Sequence, residues 1–230
     1  ASPSAALSLL ATNAVLITWP SREWPWFRGL FQLWYELFDF HHNLALPQSE
    51  AGAREAMPLE HGQLERKTIL AMHPHGVIPI QGFLWPAMCD QYLTKMYGFG
   101  ATTDAALRLP LLRQVLSWLT AGSAHRDVLR QGLEGGKNLY LLPGGVGEIF
   151  VSQPGKHVVL ARRPGLMKLA LRTGACIVPM YVFGGTDFFD HLATSNGLLG
   201  QTSRKLRAGF TLFWGQFFLP MPYPAKCCMV

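Results

Sequence analysis

The sequence predicts an α/β fold, with a central mostly parallel or mixed sheet flanked by helices. From residue 67 onward, short apolar runs that suit buried strands alternate with amphipathic stretches that suit helices. Histidine- and glycine-rich motifs follow two of those apolar runs, where open α/β sheets place their sites. An N-terminal segment rich in apolar and aromatic residues precedes them and predicts membrane-associated helices.

The composition restricts the classes of protein that fit the chain. Apolar residues make up 49% of the 230 residues and charged residues only 15%, below the share that is usual for soluble domains. The formal net charge is +6, which suits anionic partners such as phosphates or an anionic leaflet. No nucleic-acid-binding motif is present, so nucleic acid is not an expected partner. The four cysteines lack the spacing of a disulfide scaffold or a cysteine-rich zinc site.

Three segments follow from the distribution of residues. Residues 1–46 are predicted to lie in or on a membrane, because an apolar run over 5–19 precedes a stretch crowded with tryptophan and arginine. The run is shorter than the roughly twenty residues that span a bilayer, so a buried or surface-lying helix is the alternative. Residues 47–66 are polar and contain glycine and proline, which predicts a linker. Residues 67–230 are the predicted catalytic domain, and we expect it to be truncated at its C-terminus.

The elements of the catalytic domain are predicted in order along the chain. Apolar runs indicate strands over residues 68–72, 95–99, 138–142, 176–183 and 210–214. Helices are predicted over residues 80–92, 109–119, 127–134 and 164–172, and proline or glycine lies at a boundary of the last three. A turn is expected over residues 143–148, because glycine occupies three of these six positions.

Two histidines at the end of the first predicted strand of this domain form the candidate reaction centre. His73 and His75 flank Pro74, which fixes one backbone angle, and Gly76 allows a sharp turn. A histidine at a strand end, with an ordinary pKa of about 6.5, suits general-base chemistry near neutral pH. Buried, hydrogen-bonded histidines are the alternative. The pair could also bind zinc, but no third ligand follows at a useful spacing, so no metal site is predicted.

The glycine-rich stretch that ends at Glu148 is the second candidate for chemistry. Backbone N–H groups of such a turn can stabilise an oxyanion or hold a phosphate. Gly144 and Gly145, together with Gly76 of the first motif, are therefore candidate oxyanion donors. Glu148 is a candidate for orienting a catalytic histidine and stabilising its protonated form. A plain tight turn is the alternative interpretation.

Basic side chains follow that stretch. The basic set is Lys156, Arg162, Arg163, Lys168 and Arg172. Of these, Arg163, Lys168 and Arg172 are the candidates for binding phosphates, and the last two are four residues apart on one helical face. Solvated surface charge is the alternative. The sequence lacks the Gly-x-Ser-x-Gly motif of serine hydrolases, the Walker A motif and the dinucleotide-binding glycine motif. No permanently bound cofactor is expected.

Three stretches resemble, in the same order along the chain, the motifs of the type 2 diacylglycerol acyltransferases. They are His73–Gly76, Pro143–Glu148 and Arg163–Gly184. That family includes monoacylglycerol acyltransferases and wax synthases and lies within the lysophospholipid acyltransferase-like group. The Trp24–Arg28 stretch is similar to the family's membrane-proximal segment. The wider group carries a carboxylate five residues after its histidine, where this chain has isoleucine, which leaves Glu148 to orient the histidine.

The resemblance implies an enzyme that moves a fatty acyl group from acyl-coenzyme A, its co-substrate, to the hydroxyl of diacylglycerol. It implies a glycerolipid acceptor and membrane lipid as partners, in the endoplasmic reticulum membrane; lipid-droplet contact and a homo-oligomer are left open. Monoacylglycerol, a long-chain alcohol and a lysophospholipid are alternative acceptors. A non-catalytic lipid-binding membrane protein and a soluble hydrolase are the competing classes, and the aromatic clustering in residues 19–40 argues against the hydrolase.

The predicted mechanism is direct transfer, because no serine or cysteine beside the histidines suggests an acyl-enzyme. His75 takes the proton of the acceptor hydroxyl, and the oxygen attacks the thioester carbonyl. Gly76 gives His75 the freer approach, so His73 has a supporting role.

Overall fold

The computed structural model describes residues 3–18, 20, 22–34, 40–42, 67–92, 98–156, 158–160, 162–192, 197–206 and 211–230. The predicted linker over 47–66 lies outside this range, as do residues 95–97 and Phe210 of two predicted strands.

Nine strands occur in the described part of the chain. They are β1 (Phe40–His42), β2 (Thr68–His73), β3 (Phe99–Thr102), β4 (Ala121–Ser123), β5 (Leu139–Leu141), β6 (Cys176–Phe183), β7 (Asp190–His191), β8 (Phe213–Trp214) and β9 (Cys227–Met229). Seven form one sheet in the order β1-β9-β6-β2-β5-β3-β4, while β7 and β8 form a separate antiparallel pair. Within the described sheet, only β6 and β9 pair in antiparallel fashion, so the mostly parallel or mixed sheet is confirmed.

Helices flank this sheet. The α-helices are α1 (Pro3–Thr18), α2 (Pro25–Leu30), α3 (Ile80–Tyr92), α4 (Asp104–Leu107), α5 (Pro110–Trp118), α6 (Arg126–Glu134), α7 (Gly145–Ile149), α8 (Pro164–Thr173) and α9 (Leu198–Leu206). Proline is the first residue of α5 and α8, where its missing N–H costs no helical hydrogen bond. Gly174 ends α8 with a positive φ of 69°, a conformation that glycine adopts without strain. The four helices predicted for this domain are confirmed to within one residue at most of their ends.

The central strand β2 explains why its sequence is so uniformly apolar. It pairs in parallel with β5 on one side and β6 on the other, and every residue along it is buried. Its side chains alternate between the two faces, so Ile69 packs with the leucines of α6 and α8, while Leu70 and Met72 pack with Leu84 of α3. The sheet therefore has a core on each face, and the end of β2 is held from both sides.

Several elements differ from the sequence-based expectation. β3 begins at Phe99 and continues to Thr102, later than the predicted strand over 95–99, and it pairs with β5 from Phe99 onward. The expected glycine-rich turn becomes the short helix α7 from Gly145. Strands β4 and β9 were not predicted, because three residues of Ala-Gly-Ser or Cys-Cys-Met give no apolar periodicity and depend on their neighbours in the sheet.

The N-terminal segment packs onto the sheet domain in part. The aromatic rings of Trp24 and Phe27 contact Trp118 of α5, with ring centres 5.1 and 4.7 Å apart. Strand β1 pairs with β9, so the sheet includes residues from the predicted segment 1–46. The apolar run is helical, as α1.

None of the described helices is both long enough and apolar enough to cross a bilayer. The membrane association of residues 1–46 stays a prediction.

Candidate active site

The two candidate motifs meet at one edge of the sheet. β2 ends at His73 and runs into the His-Pro-His-Gly turn, and β5 ends at Leu141, just before the glycine-rich stretch. The two strands are parallel neighbours, with Ile69 opposite Leu139. Because parallel strands end at the same edge, the topology brings the motifs together across more than seventy residues of sequence.

A buried hydrogen bond links the two motifs. Nδ1 of His73 lies 2.8 Å from Oε1 of Glu148, and the Glu148 side chain is completely buried. An ionised carboxylate can only accept hydrogen bonds, so His73 donates through Nδ1. The ring of His73 is itself largely buried. The structure therefore pairs Glu148 with the ring of His73.

Glu148 also fixes the backbone around it. Its Oε2 accepts a hydrogen bond from the backbone N–H of His75 at 2.7 Å, and its Oε1 accepts one from Leu160 N–H at 2.7 Å. Burial is the largest influence and raises the pKa of Glu148, but the bonds from His73 and from these N–H groups outweigh it. The pKa of Glu148 is lowered below its ordinary value, which makes the group a carboxylate at neutral pH.

The ring of His75 has a defined tautomer. Its Nδ1 lies 2.8 Å from the carbonyl oxygen of Gly76, and a carbonyl can only accept, so Nδ1 carries the hydrogen. The lone pair of the neutral ring is then on Nε2. Burial lowers the pKa of His75, against smaller opposing effects of the Gly76 bond and the Glu148 charge. His75 is consequently neutral near pH 7, and its side chain lines a cavity.

Gln81 holds the turn that carries His75, and the sequence analysis missed it. Its Nε2 donates to the carbonyl oxygen of Pro74 at 2.6 Å and, more weakly, to that of His75 at 3.3 Å. The side chain is completely buried in the first turn of α3. A polar residue at the start of the helix after the motif was the available signal.

The glycines of the two motifs are required by close approach. Gly76 has a φ of 65°, and an added Cβ would lie 2.7 Å from the carbonyl oxygen of Gly185. A Cβ on Gly144 would overlap the carboxylate of Glu148. The N–H of Gly145 donates to Leu142 O at 3.2 Å, so it is engaged in the turn. The oxyanion role of Gly76, Gly144 and Gly145 stays a prediction.

The three predicted phosphate-binding cations occupy different surroundings. Arg163 donates from Nε to Pro143 O at 2.5 Å and from Nη2 to Gly144 O at 2.6 Å, which braces the glycine-rich stretch. It also lines the cavity. Lys168 and Arg172 are exposed on α8 and are not among the residues that line it. The structure therefore brings only Arg163 of the three to the site.

A cavity of about 1000 Å³ extends from His75 across the ends of the neighbouring strands. Its volume is at the upper end of the range for small-molecule sites. Two further guanidinium groups, those of Arg126 and Arg162, line it as well, and Arg126 was not singled out from the sequence. The walls are mainly apolar and include Val77, Ile78, Phe83, Leu109, Leu112, Leu116, Leu129 and Leu142. A long apolar molecule with one anionic end matches this lining.

Within the part of the chain that the structure describes, no group of three or more histidine, cysteine, aspartate or glutamate side chains is placed to hold a metal ion.

Comparison with known proteins agrees with the motifs. The family model described as Diacylglycerol acyltransferase matches residues 59–225, which contain His73, His75 and Glu148. Diacylglycerol O-acyltransferase 2 of Dictyostelium discoideum is 32% identical over 144 residues, which are 59% of this chain and 43% of that protein. The Bos taurus protein of the same name is 31% identical over 148 residues, which are 61% of this chain and 41% of that protein.

A relative with a different acceptor in its name also matches. The human 2-acylglycerol O-acyltransferase 3 is 30% identical over 171 residues, which cover 66% of this chain and 48% of that protein. The matched region spans less than half the length of each of these three relatives. No solved structure matches the chain significantly. Since the family model covers most of the sequence and includes both motifs, the chain belongs to the diacylglycerol acyltransferase family.

Proposed function

We propose that the chain is an acyl-coenzyme A-dependent O-acyltransferase that esterifies the hydroxyl of diacylglycerol. One observation carries the proposal: the neutral ring of His75 lines a large apolar cavity, and its Nδ1 is already bonded to Gly76 O. That bond leaves Nε2 as the proton acceptor. The family and the names of the relatives support the reaction class.

The proposed reaction proceeds by direct transfer. Nε2 of His75 accepts the proton of the acceptor hydroxyl as its oxygen forms a bond to the thioester carbonyl carbon. The resulting oxyanion collapses, the carbon–sulfur bond breaks and coenzyme A leaves as a thiolate, which takes the proton back from His75. Backbone N–H groups of Gly76 and Gly144 are the proposed donors to the oxyanion.

Glu148 supports this step without touching the substrate. Its bond to the His75 backbone N–H and its bond to the His73 ring fix the turn before substrate binds. Its negative charge favours the protonated form that His75 adopts during the reaction. His73 therefore has the supporting role, as a partner that holds Glu148 in place.

The acceptor is the less specific part of the proposal. Diacylglycerol has the support of several relatives named Diacylglycerol O-acyltransferase 2. Monoacylglycerol is the second candidate, because the human relative at 30% identity is named a 2-acylglycerol O-acyltransferase. A long-chain alcohol and a lysophospholipid remain alternatives, and a non-catalytic lipid-binding protein is the alternative class.

We also propose that the reaction takes place at the endoplasmic reticulum membrane, with membrane lipid as a partner. The resemblance of the motifs implies this location, and the exposed side chains of Trp26 and Leu33, 67% and 69% accessible, suit an interface with lipid. Fractionation of expressing cells tests it: recovery of the protein away from endoplasmic reticulum markers contradicts the proposal.

A paired assay tests the reaction. Membranes carrying the protein receive labelled oleoyl-coenzyme A and a panel of hydroxyl acceptors, with His75→Ala in parallel. We expect labelled triacylglycerol from diacylglycerol, and loss of at least a hundredfold in rate in the variant, because the base is removed. His125→Ala is the matched control, since this histidine is exposed and does not line the cavity. If folded His75→Ala turns over as fast as the wild-type protein, His75 is not the base. If the wild-type protein forms no ester with any acceptor, the result favours the class of non-catalytic lipid-binding proteins.

A further inference from the structure

Two arginines at the cavity have no part in the proposed proton transfer. Arg126 is the first residue of α6, and Arg162 lies two residues before the start of α8. Both side chains are exposed and both line the cavity. Among the described residues, no carboxylate forms an ion pair with either guanidinium. They are cations that border an otherwise mainly apolar cavity.

The topology places both arginines at the edge of the sheet that carries His75. Helix α6 connects the parallel strands β4 and β5, and α8 leads into β6, so both helices start at the edge where the strands end. The helices are neighbours, because Leu129 of α6 and Leu169 of α8 share one buried cluster. Two adjacent helix starts therefore bring Arg126 and Arg162 to the edge that carries His75.

The other basic side chains nearby are either bonded to the backbone or lie outside the cavity. The guanidinium of Arg163 is committed to the carbonyl oxygens of Pro143 and Gly144. Lys168 and Arg172 lie farther along α8 and do not line the cavity. Arg126 and Arg162 are the two guanidinium groups of the described cavity lining for which the structure shows no such bracing role.

We infer that Arg126 and Arg162 bind the phosphate groups of the acyl donor, an inference that rests on the proposed function. A guanidinium offers paired N–H donors that fit phosphate oxygens. Strand β4, which leads to Arg126, is three strands away from β2 in the sheet, about 14 Å at the usual spacing. In coenzyme A the pantetheine arm separates the thioester from the phosphates, so anion binding at that distance leaves the thioester near His75.

Binding of coenzyme A itself tests the inference without turnover. Isothermal titration of the full chain with coenzyme A compares Arg126→Gln and Arg162→Gln with the wild-type protein. We expect each substitution to weaken binding about tenfold, through loss of charge-assisted hydrogen bonds. Arg130→Gln is the matched control, because Arg130 is on the same helix, pairs with Asp127 and Glu134, and does not line the cavity.

Three binding results overturn the inference. They are unchanged affinity in both variants, no binding of coenzyme A to the wild-type protein, and a loss in Lys168→Gln or Arg172→Gln that equals or exceeds the loss in the two cavity variants. The last result assigns the phosphates to the exposed face of α8.

A donor without phosphates separates this inference from the proposed reaction. Turnover is measured with oleoyl-coenzyme A and with the oleoyl thioester of N-acetylcysteamine. We expect Arg126→Gln and Arg162→Gln to raise KM for the first donor about tenfold, with kcat and the kinetics of the second donor unchanged. Equal losses with both donors overturn the inference. Arginine-dependent binding of coenzyme A with no ester from either donor supports the phosphate site and contradicts the proposed acyltransferase.

Discussion

The state of His75 is decided by groups that the chain supplies from three places. The Gly76 carbonyl selects the ring tautomer, burial lowers the pKa, and the Glu148 charge opposes part of that decrease. Burial outweighs this opposition, so the ring is neutral near pH 7, and the Gly76 bond leaves its lone pair on Nε2. A base that is already deprotonated at neutral pH can accept a proton without first losing one.

The proposed role of His75 as the base predicts how turnover depends on pH. Because this pKa is lowered from 6.5, we expect kcat/KM to rise with pH around an apparent pKa below 6.5 and to level off by neutral pH. In Glu148→Gln the charge that raises the His75 pKa is gone, so the inflection moves to lower pH. Rate profiles from pH 5 to 8 measure both. An inflection at or above 6.5, or a shift to higher pH in the variant, contradicts this assignment.

Stability depends on Glu148 in a separate pH range. Its folded pKa is below the ordinary 4.5, so its stabilising contribution is present above pH 4.5 and is lost as the pH falls through the folded value. Replacement by Gln also places an N–H donor against groups that donate. We expect Glu148→Gln to lower the free energy of unfolding at pH 7 by about 1–3 kcal/mol. Urea unfolding of the wild-type protein and of the variant, at pH 7 and at pH 4, measures this effect. If the difference in unfolding free energy between the two proteins is the same at both pH values, the result counts against an ionised Glu148 in the folded protein.

At the scale of the elements, hydrogen bonds of two side chains hold together the segments around the His-Pro-His-Gly turn. The start of α3 is tied back to the preceding turn through Gln81, while the loop before α8 is tied to α7 through Leu160 and Glu148. The backbone of the turn is therefore held in place by Gln81 and by Glu148 before any substrate is present.

Gln81 is expected to act by positioning the turn. In Gln81→Leu the volume is similar, but the carbonyl oxygen of Pro74 loses its 2.6 Å donor, so the His75 ring is less well placed. We expect kcat to fall about tenfold with little change in KM, while the inflection of the pH profile stays in place. Gln131→Leu, at an exposed site on α6, is the control. A kcat equal to that of the wild-type protein removes Gln81 from this role.

At the scale of the whole molecule, two strands that are far apart in sequence, β1 and β9, are neighbours at one side of the sheet. β9 lies between β6 and β1, and both Cys227 and Met229 are almost fully buried within it. Burial raises the pKa of the Cys227 thiol to about 12, so this thiol stays protonated at neutral pH and behaves as an apolar side chain. Cys227 and Met229 thus belong to the buried core on one face of the sheet.

Truncation of Met229 measures what this strand contributes. Met229 is 0% exposed, so Met229→Ala leaves a cavity and is expected to cost about 2–5 kcal/mol of unfolding free energy. Val230→Ala is the control; its side chain is 52% exposed and its backbone bonds to Tyr181 are kept, so the expected change is within about 0.5 kcal/mol. Denaturant unfolding compares the two. Equal stability of both variants shows that β9 is not a packed strand in solution.

The sequence alone determined the features that depend on a short window of residues. The apolar run of β2, the proline at the start of α8 and the glycine at its end could each be recognised, because local periodicity and backbone restriction act within a few positions. The two motifs, their positions after strands and the family they resemble were also available. The short strands β4 and β9 were not, since their pairing rather than their composition makes them strands.

Only the tertiary structure decided how the candidate residues are combined. It places the ring of His73 against Glu148 and gives His75 a backbone bond to the same carboxylate. The spacing of the two histidines in the sequence does not reveal which of their rings contacts Glu148. It also commits Arg163 to bracing and adds Arg126 to the cavity lining. The physical reason is that these contacts join residues far apart in sequence, and their geometry is set by which strands and helices become neighbours.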